Sequence, residues 1–114
     1  HRTAAALAER EGRLRVMADA LPQIVWFAGP DGTTTWRNRR WHAFTGETAD
    51  AGFGAVLHAE DLPAARAAWR RSVATGEPYE TEFRLREGAT GAWRWHLGRA
   101  LPARDATGAI TAWY

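Results

Sequence analysis

Residues 79–105, which read YETEFRLREGATGAWRWHLGRALPARD, decide the fold of this chain. Apolar and charged residues alternate from Tyr79 to Arg86, which is typical of a strand with one apolar and one charged face. The second part, from Trp93 to Leu97, alternates in the same way after a turn that contains glycine. The stretch therefore predicts a β-hairpin.

The pairing across this hairpin depends on its turn. If the turn keeps the parity of the two strands, Glu82 and Arg84 lie near Arg94 and His96 across the charged face. Each opposite-charge pair would then contribute roughly 0.2–1 kcal/mol. On the same assumption Trp95 lies on the apolar face.

Short motifs in this region resemble those of the PAS sensory family, whose second half commonly carries E-x-R, G-x-x-R-W and P-x-R-D-x-x-G. In this chain the motifs fall on Glu82 and Arg84, on Gly91, Arg94 and Trp95, and on Pro102, Arg104, Asp105 and Gly108. A PDG turn at residues 30–32 and an LHAED segment at residues 57–61 extend the likeness to roughly residues 20–114. The chain thus resembles a PAS domain with a C-terminal PAC-type motif, of the kind found in bacterial sensor histidine kinases.

The remaining elements follow from helix and turn signals. We expect a helix over residues 3–20, a hairpin over residues 24–36, and a short helix that starts after Asn38 as N-cap and stops at Gly46. Asp61 can cap a longer helix over residues 61–75. The order predicts an α+β fold, a five-stranded antiparallel sheet with helices on one face and an N-terminal flanking helix. We assign residues 1–21 to the flanking, dimerisation helix and residues 22–114 to the PAS domain.

Composition limits the class of protein. A chain of 114 residues fits one domain, and its seven tryptophans and 46% apolar residues argue against disorder. No apolar run approaches the roughly 18 residues that a membrane span needs, so we expect no membrane contact by this domain and a cytoplasmic location. Membrane anchoring of a longer polypeptide stays open. All fifteen basic residues are arginine, yet the net charge is only +2, which does not favour nucleic-acid binding.

Catalytic and metal chemistry is not expected in this domain. The chain has no cysteine, and its four histidines, at positions 1, 42, 58 and 96, are too scattered for a metal site defined by spacing. We find no acid pair, no nucleophile beside a base and no phosphate-binding glycine loop. The resemblance implies a structural and capping role for His58. The domain is predicted not to be an enzyme, although the full protein could be a histidine kinase.

Aromatic residues are the candidates for a ligand pocket between sheet and helices. They are Trp26, Trp36, Trp41, Phe44, Trp69, Phe83 and Trp95. We favour the interpretation that these rings fill the core over an occupied pocket. The resemblance implies that a flavin adduct needs a cysteine and that haem usually needs a histidine on or near the long helix, so no cofactor is predicted. Flavin held without an adduct, or a small apolar or aromatic metabolite, stays open.

Two further groups of residues bear on signalling. By resemblance Asp105 is the main coupling residue, with Gly108 and Trp113 beside it, although Asp105 equally fits a plain turn aspartate. The candidates for a dimer helix are Leu7, Leu14, Met17 and Leu21. The same helix could instead pack on its own domain.

The prediction for function is a sensory and dimerisation module, a homodimer, which passes a signal to an effector domain in the same polypeptide. A sensor histidine kinase is the expected context. One alternative is a haem or non-adduct flavin sensor. The other is a protein-interaction module without ligand.

Overall fold

The computed structural model describes residues 2–47 and 53–114. In chain order the elements are α1 (Arg2–Ala20), β1 (Trp26–Ala28), β2 (Thr34–Arg37), α2 (Arg39–Thr45), a short 3-10 helix (Phe53–Ala55), α3 (Leu62–Thr75), β3 (Tyr79–Arg86), β4 (Trp93–Ala100), β5 (Pro102–Arg104) and β6 (Ile110–Trp113). The predicted α+β class is confirmed, and an N-terminal helix is present.

The strands form two antiparallel sheets rather than one. The first has the order β2-β1-β6-β5, and β3 pairs with β4 alone. β4 and β5 are nearly continuous, because only Leu101 separates them. The Leu101 N–H donates to the Tyr114 carbonyl at 2.9 Å, and the Tyr114 N–H donates back at 3.1 Å. The fourth of the five predicted strands is therefore divided at Leu101 and contributes to both sheets.

The register of the β3–β4 hairpin differs from the predicted one. Arg84 lies opposite Trp95, and Phe83 lies opposite His96. The prediction that Glu82 and Arg84 face Arg94 and His96 is wrong, because the turn shifts the parity by one residue. As a result Trp95 lies on the same face as the charged residues of β3, where 65% of its surface is exposed.

Two clusters of buried residues form the core. One contains Trp41, Val56, Leu57, Ala65, Phe83 and Leu85, and the other contains Ala28, Tyr79, Ala100 and Trp113. Trp41 and Trp113 are fully buried. The first cluster packs Trp41 of α2 and Ala65 of α3 against β3, and the second lies on strands of both sheets with Trp69 of α3 packed against it.

Asn38 and two glycines set the ends of α2 and α3. The Asn38 side chain accepts a hydrogen bond from the Trp41 N–H at 3.2 Å, which confirms it as the N-cap of α2. Gly46 and Gly76 end the two helices at φ 73° and 77°, a left-handed conformation that favours glycine. Asp61 precedes α3, but its side chain makes no cap hydrogen bond. That prediction is wrong, because the Asp61 carboxylate binds Arg84 instead.

α1 is held to the rest of the chain mainly at its C-terminal end. The Asn38 side chain donates to the Ala18 carbonyl at 2.9 Å, and the Arg39 N–H donates to the Asp19 carboxylate at 2.7 Å. Of the described side chains in residues 6–17, all are exposed except that of Leu14, which is half-buried. The side chain of Leu7 lies outside the described residues. In the described part of the chain, no helix has the length and apolar character to cross a membrane.

Candidate functional site

A cavity of about 350 Å³ lies between α3, the β1–β2 hairpin, the 3-10 helix and β3. It is lined by Trp26, Gly32, Thr33, Thr34, Arg37, Phe53, Gly54, Leu57, Leu62, Ala65, Arg66, Trp69, Tyr79 and Phe83. Most of this wall is apolar or aromatic, and a few polar groups converge on it. This composition is typical of small-molecule sites in proteins.

Aromatic rings in edge-to-face contact form the wall. Trp26 meets Phe53 with centroids 5.4 Å apart at 71°, and Trp69 meets Tyr79 at 5.1 Å and 80°. Trp26 also meets Tyr79 at 6.5 Å, so the four rings form a continuous series. Such pairs contribute beyond their buried area and hold each ring in one orientation. The wall is therefore built of rigid groups.

The turn between β1 and β2 closes one side of the cavity. The Trp69 indole N–H donates to the Gly32 carbonyl at 3.0 Å. Gly32 has φ 88°, and an added Cβ would lie 2.8 Å from the Val73 side chain. Only glycine allows this close approach of the turn to α3.

The polar groups of the wall are mostly hydrogen-bond donors. The Arg37 guanidinium lies 5.2 Å from the Trp41 ring centroid and 5.4 Å from that of Phe53, and burial lowers its pKa. Burial also raises the pKa of Tyr79 to about 12, so its hydroxyl keeps its proton at neutral pH. Arg66 lines the cavity from α3.

The structure brings together some of the predicted pocket residues and separates the others. Trp26, Trp69 and Phe83 line the cavity. Trp41 lies in the core behind it, with its ring 4.5 Å from that of Phe53. Phe44 does not line this cavity but a second groove.

Two predicted pocket residues lie on the other face. Trp36 pairs with Phe27 across the β1–β2 hairpin, with ring centroids 4.7 Å apart, on the face opposite Trp26. Trp95 lines neither cavity, and the Arg84 guanidinium lies 5.0 Å from its ring centroid. Alternation along β1 and the register of the hairpin place both rings outside the site.

Sequence reasoning missed Phe53, Tyr79, Arg37 and Arg66. Residues 79, 81, 83 and 85 share the inner face of β3. Tyr79 is therefore on the same face as Phe83, and this alternation could have identified it. The two arginines carried no such signal, because an arginine in a strand or on a helix usually points to solvent.

The second groove has a volume of about 560 Å³ and runs between the segment before β1 and the strand β4. It is lined by Pro22, Gln23, Ile24, Trp26, Arg40, Phe44, Phe53, Phe83, Leu85, His96, Leu97, Gly98 and Arg99. Phe44 meets His96 there with centroids 5.0 Å apart. Charged and polar side chains form much of its wall, so the first cavity is the better site for an apolar ligand.

The predicted coupling residues occupy two different places. Asp105 caps the last turn: its Oδ1 accepts hydrogen bonds from the Thr107 N–H at 2.8 Å and the Ala109 N–H at 3.1 Å. Hydrogen bonds from Thr107 hold the pKa of Asp105 below its usual value. Gly108 stands in the same exposed turn at φ 87°. Trp113 is buried, and its ring lies 5.3 Å from that of Trp69, which lines the cavity.

His58 contacts its own segment and the β3–β4 hairpin, and its N–H donates to the Arg84 carbonyl at 2.9 Å. Its Nδ1 accepts from the Glu60 N–H at 3.1 Å, and its ring meets that of Trp93 at 4.7 Å. Within residues 2–47 and 53–114, no group of three histidine or acidic side chains could hold a metal ion.

An ion pair joins the start of α3 to the middle of β3. The Asp61 carboxylate accepts from the Arg84 Nε at 2.8 Å, from its Nη2 at 2.9 Å and from its backbone N–H at 2.9 Å. The hydrogen bonds from Arg84 lower the pKa of Asp61 to about 2, and the same contacts raise the pKa of Arg84. This two-pronged contact fixes α3, and with it one wall of the cavity, against the sheet.

Replacement of Asp61 by Asn should remove a pH-dependent part of the stability. The carboxylate has a pKa near 2 when folded and about 3.9 when unfolded, so its contribution is full above pH 4 and is lost as the pH falls towards 2. We expect Asp61→Asn to lower Tm by roughly 5 °C at pH 7, and the two melting curves to converge near pH 2. Scanning calorimetry from pH 2 to 7 measures this. Glu82→Gln is the control, because Glu82 is exposed and forms no ion pair within the described residues, and a Tm difference that does not vary with pH would contradict the assignment.

Comparison with known proteins identifies relatives of this chain. It is 37% identical over 104 residues to the protein y4lL of Sinorhizobium fredii, covering 88% of this chain and 12% of that protein. It is 32% identical over 102 residues to the peroxide stress-activated histidine kinase mak1 of Schizosaccharomyces pombe, covering 85% of this chain and 6% of the kinase. The chain thus spans an eighth or less of the length of these relatives.

The fold also matches solved structures. An RNA-binding light-oxygen-voltage receptor superimposes with a TM-score of 0.71 at 22% identity, over 90% of this chain and 31% of that one. At this identity the likeness concerns the fold alone. The family model described as the PAS fold matches residues 38–114, which is well over half of the chain. The cavity, the order of elements and this match agree, and the chain belongs to the PAS fold family.

Proposed function

We propose that this domain is the sensory module of a histidine-kinase signalling protein and that it senses a small molecule held in the 350 Å³ cavity. The observation that carries the proposal is the cavity wall of edge-to-face rings with converging donors. The likeness to the kinase mak1 supports the kinase context. The output activity would lie in other parts of a longer polypeptide.

The signal would leave the cavity through β6. Trp69 lines the cavity and contacts Trp113, and Trp113 belongs to the strand that lies between β1 and β5. A ligand that shifts Trp69 would therefore act on β6. Such a ligand must bind two states of the domain with different affinity, since otherwise it would shift no equilibrium. Asp105 and Gly108 would set the turn from which β6 starts.

Native mass spectrometry of the protein as purified from cells tests this proposal. An added mass that disappears on denaturation would support a resident ligand, and a mass equal to haem or flavin would favour the cofactor-sensor alternative. A bare protein that also gains no mass or thermal shift from a metabolite library would contradict it. In that case the domain would be an interaction module without ligand.

We further propose that the domain forms a homodimer through α1. Val16 and Met17 of α1, and Leu21 just after it, are exposed at 71%, 64% and 48% of their surfaces. Leu14 and Met17 lie 300° apart around α1 and so form one apolar stripe, and Leu21 follows just after the last turn of the helix. A second copy of the same stripe would cover it, as in short helix pairs.

Replacement of Met17 by Glu should give monomers. The exposed position makes a direct effect on folding small, whereas a charge buried between two helices is costly. We expect the dissociation constant to rise at least tenfold in analytical ultracentrifugation. Ala8→Glu is the matched control, because residue 8 lies on the opposite side of the helix, two and a half turns away. Sedimentation that is unchanged by Met17→Glu would exclude α1 as the interface.

A further inference from the structure

We infer that the ligand of the cavity is a flat aromatic carboxylate, whose acid group binds Arg66 at the side of α3. The inference rests on the proposed function, since it assumes that the cavity holds a small molecule. It adds the charge and shape of that molecule.

The charge of the described lining is entirely positive. Arg37 and Arg66 are its charged members, and the described residues contribute no carboxylate to it. A cavity with apolar walls and cations of one sign attracts and concentrates anions. Arg37 already has an interaction partner in the chain, so Arg66 is the cation that is left to bind a ligand.

Arg66 is placed to hold an acid group. Its Nη2 lies 3.4 Å from the position of an added Cβ on Gly54, so the guanidinium lies beside the 3-10 helix at the cavity wall. No ion pair or side-chain hydrogen bond involves Arg66 within the described residues. Arginine suits this task, because its planar fork matches the two oxygens of a carboxylate.

The other polar groups of the wall can also donate hydrogen bonds to a ligand carboxylate. The Tyr79 hydroxyl is protonated at neutral pH and makes no hydrogen bond to any described residue, so its proton is available to an oxygen of the ligand. Thr34 adds a hydroxyl group from the β1–β2 hairpin.

The shape of the wall favours a flat ring system. The rings of Trp26, Phe53, Trp69 and Tyr79 present edges and faces at angles of 71–84° to one another, which suits an inserted aromatic plate. The volume is at the lower end of the range for ligand sites, so the plate would have one or two rings.

Isothermal titration with matched pairs of acids and amides tests the inference. The probes are phenylacetate, indole-3-acetate and 2-naphthoate, each compared with its neutral amide. We expect at least one acid to bind and to bind about tenfold more tightly than its amide. Arg66→Gln should weaken the acid about tenfold and leave the amide unchanged, as expected for loss of a charged hydrogen bond. Arg71→Gln, an exposed arginine of the same helix that does not line the cavity, is the control and should change neither.

The outcomes separate this inference from the proposed function. If an amide binds as well as its acid, or if Arg66→Gln and Arg71→Gln behave alike, the anionic ligand is excluded while a ligand-binding cavity stands. If none of the acids binds, the inference fails. The proposed function then depends on native mass spectrometry alone. A resident ligand that proves to be a cation or a neutral lipid would overturn the inference of an anionic ligand and would support the proposed function.

Discussion

Replacement of Asn38 by Ala is expected to destabilise the domain by roughly 3–5 kcal/mol. The side chain is fully buried and makes four hydrogen bonds to backbone groups. Its oxygen accepts from the N–H groups of Val25 and Trp41 at 3.0 and 3.2 Å. Its nitrogen donates to the carbonyls of Ala18 and Gln23 at 2.9 and 2.8 Å. Alanine would leave these four groups without their partner, and each buried unpaired group costs about 1–3 kcal/mol.

Asn38→Asp separates the two halves of this role. Aspartate keeps the oxygen that caps α2 but replaces the donor with an oxygen that repels the carbonyls of Ala18 and Gln23. We expect α2 to persist and the C-terminal end of α1 to detach. Hydrogen exchange should then rise in residues 15–21 and stay low in α2.

Urea unfolding gives the total cost of each change. Gln23→Ala serves as the control, because its exposed side chain makes no hydrogen bond to the described residues, and it should stay within about 0.5 kcal/mol of the parent. An Asn38→Ala domain that loses less than about 1 kcal/mol would show that water or backbone movement replaces the four bonds.

Asn38 also shows what a sequence reveals about a buried polar residue. Its N-cap role was predictable because capping depends on residues three positions apart. The bonds to Ala18 and Gln23 span 20 and 15 positions, and no local pattern reports a contact at that separation. The same side chain was therefore predicted in one half of its role and missed in the other.

The β3–β4 hairpin was also predicted only in part: its strands were predicted correctly, and its register was not. The alternation of β3 and β4 predicted both strands, because period-two patterns depend only on which face is buried. Their relative register depends on the turn, where the Glu87 N–H bonds the Ala92 carbonyl and Gly91 takes φ 71°. A shift of one residue moves a whole set of side chains to the other face. That is why Trp95 was assigned to the pocket and lies outside it.

The cavity was predicted in part. The rings of Trp26, Trp69 and Phe83 were named as candidates, but packing density decides whether rings fill a space or line it, and density depends on the assembled fold. The expectation of a filled core is not met around these residues, since about 350 Å³ lies between them.

Gly98→Ala is the second change with a large expected effect, because it would add one methyl group to a filled space. An added Cβ would lie 2.5 Å from Cε2 and 2.8 Å from Cζ of Phe83. Phe83 is buried and also lines the cavity. The methyl must therefore displace the ring, at a cost of about 1–3 kcal/mol for an overpacked core.

The methyl at residue 98 should also act on the ligand site, since the displaced ring can move towards the cavity. We expect Gly98→Ala to lower the stability in urea and to reduce the ligand-bound fraction in native mass spectra. Gly12→Ala is the control, because it makes the same substitution on α1 where nothing lies within 4 Å of the added Cβ. It should not destabilise the domain, since alanine in a helix is more favourable than glycine by about 0.5–1 kcal/mol.

A double-mutant cycle with Phe83→Leu identifies the cause of the effect. Leucine lacks the Cε2 and Cζ atoms that the methyl would meet, so the double variant should be more stable than the sum of the single changes predicts, by at least about 1 kcal/mol. Additive effects would mean that Gly98 matters for the backbone of β4 and not for the ring. Because Phe83 connects the sheet to the cavity, a positive coupling here would place the size of the ligand site under the control of a residue on the neighbouring strand.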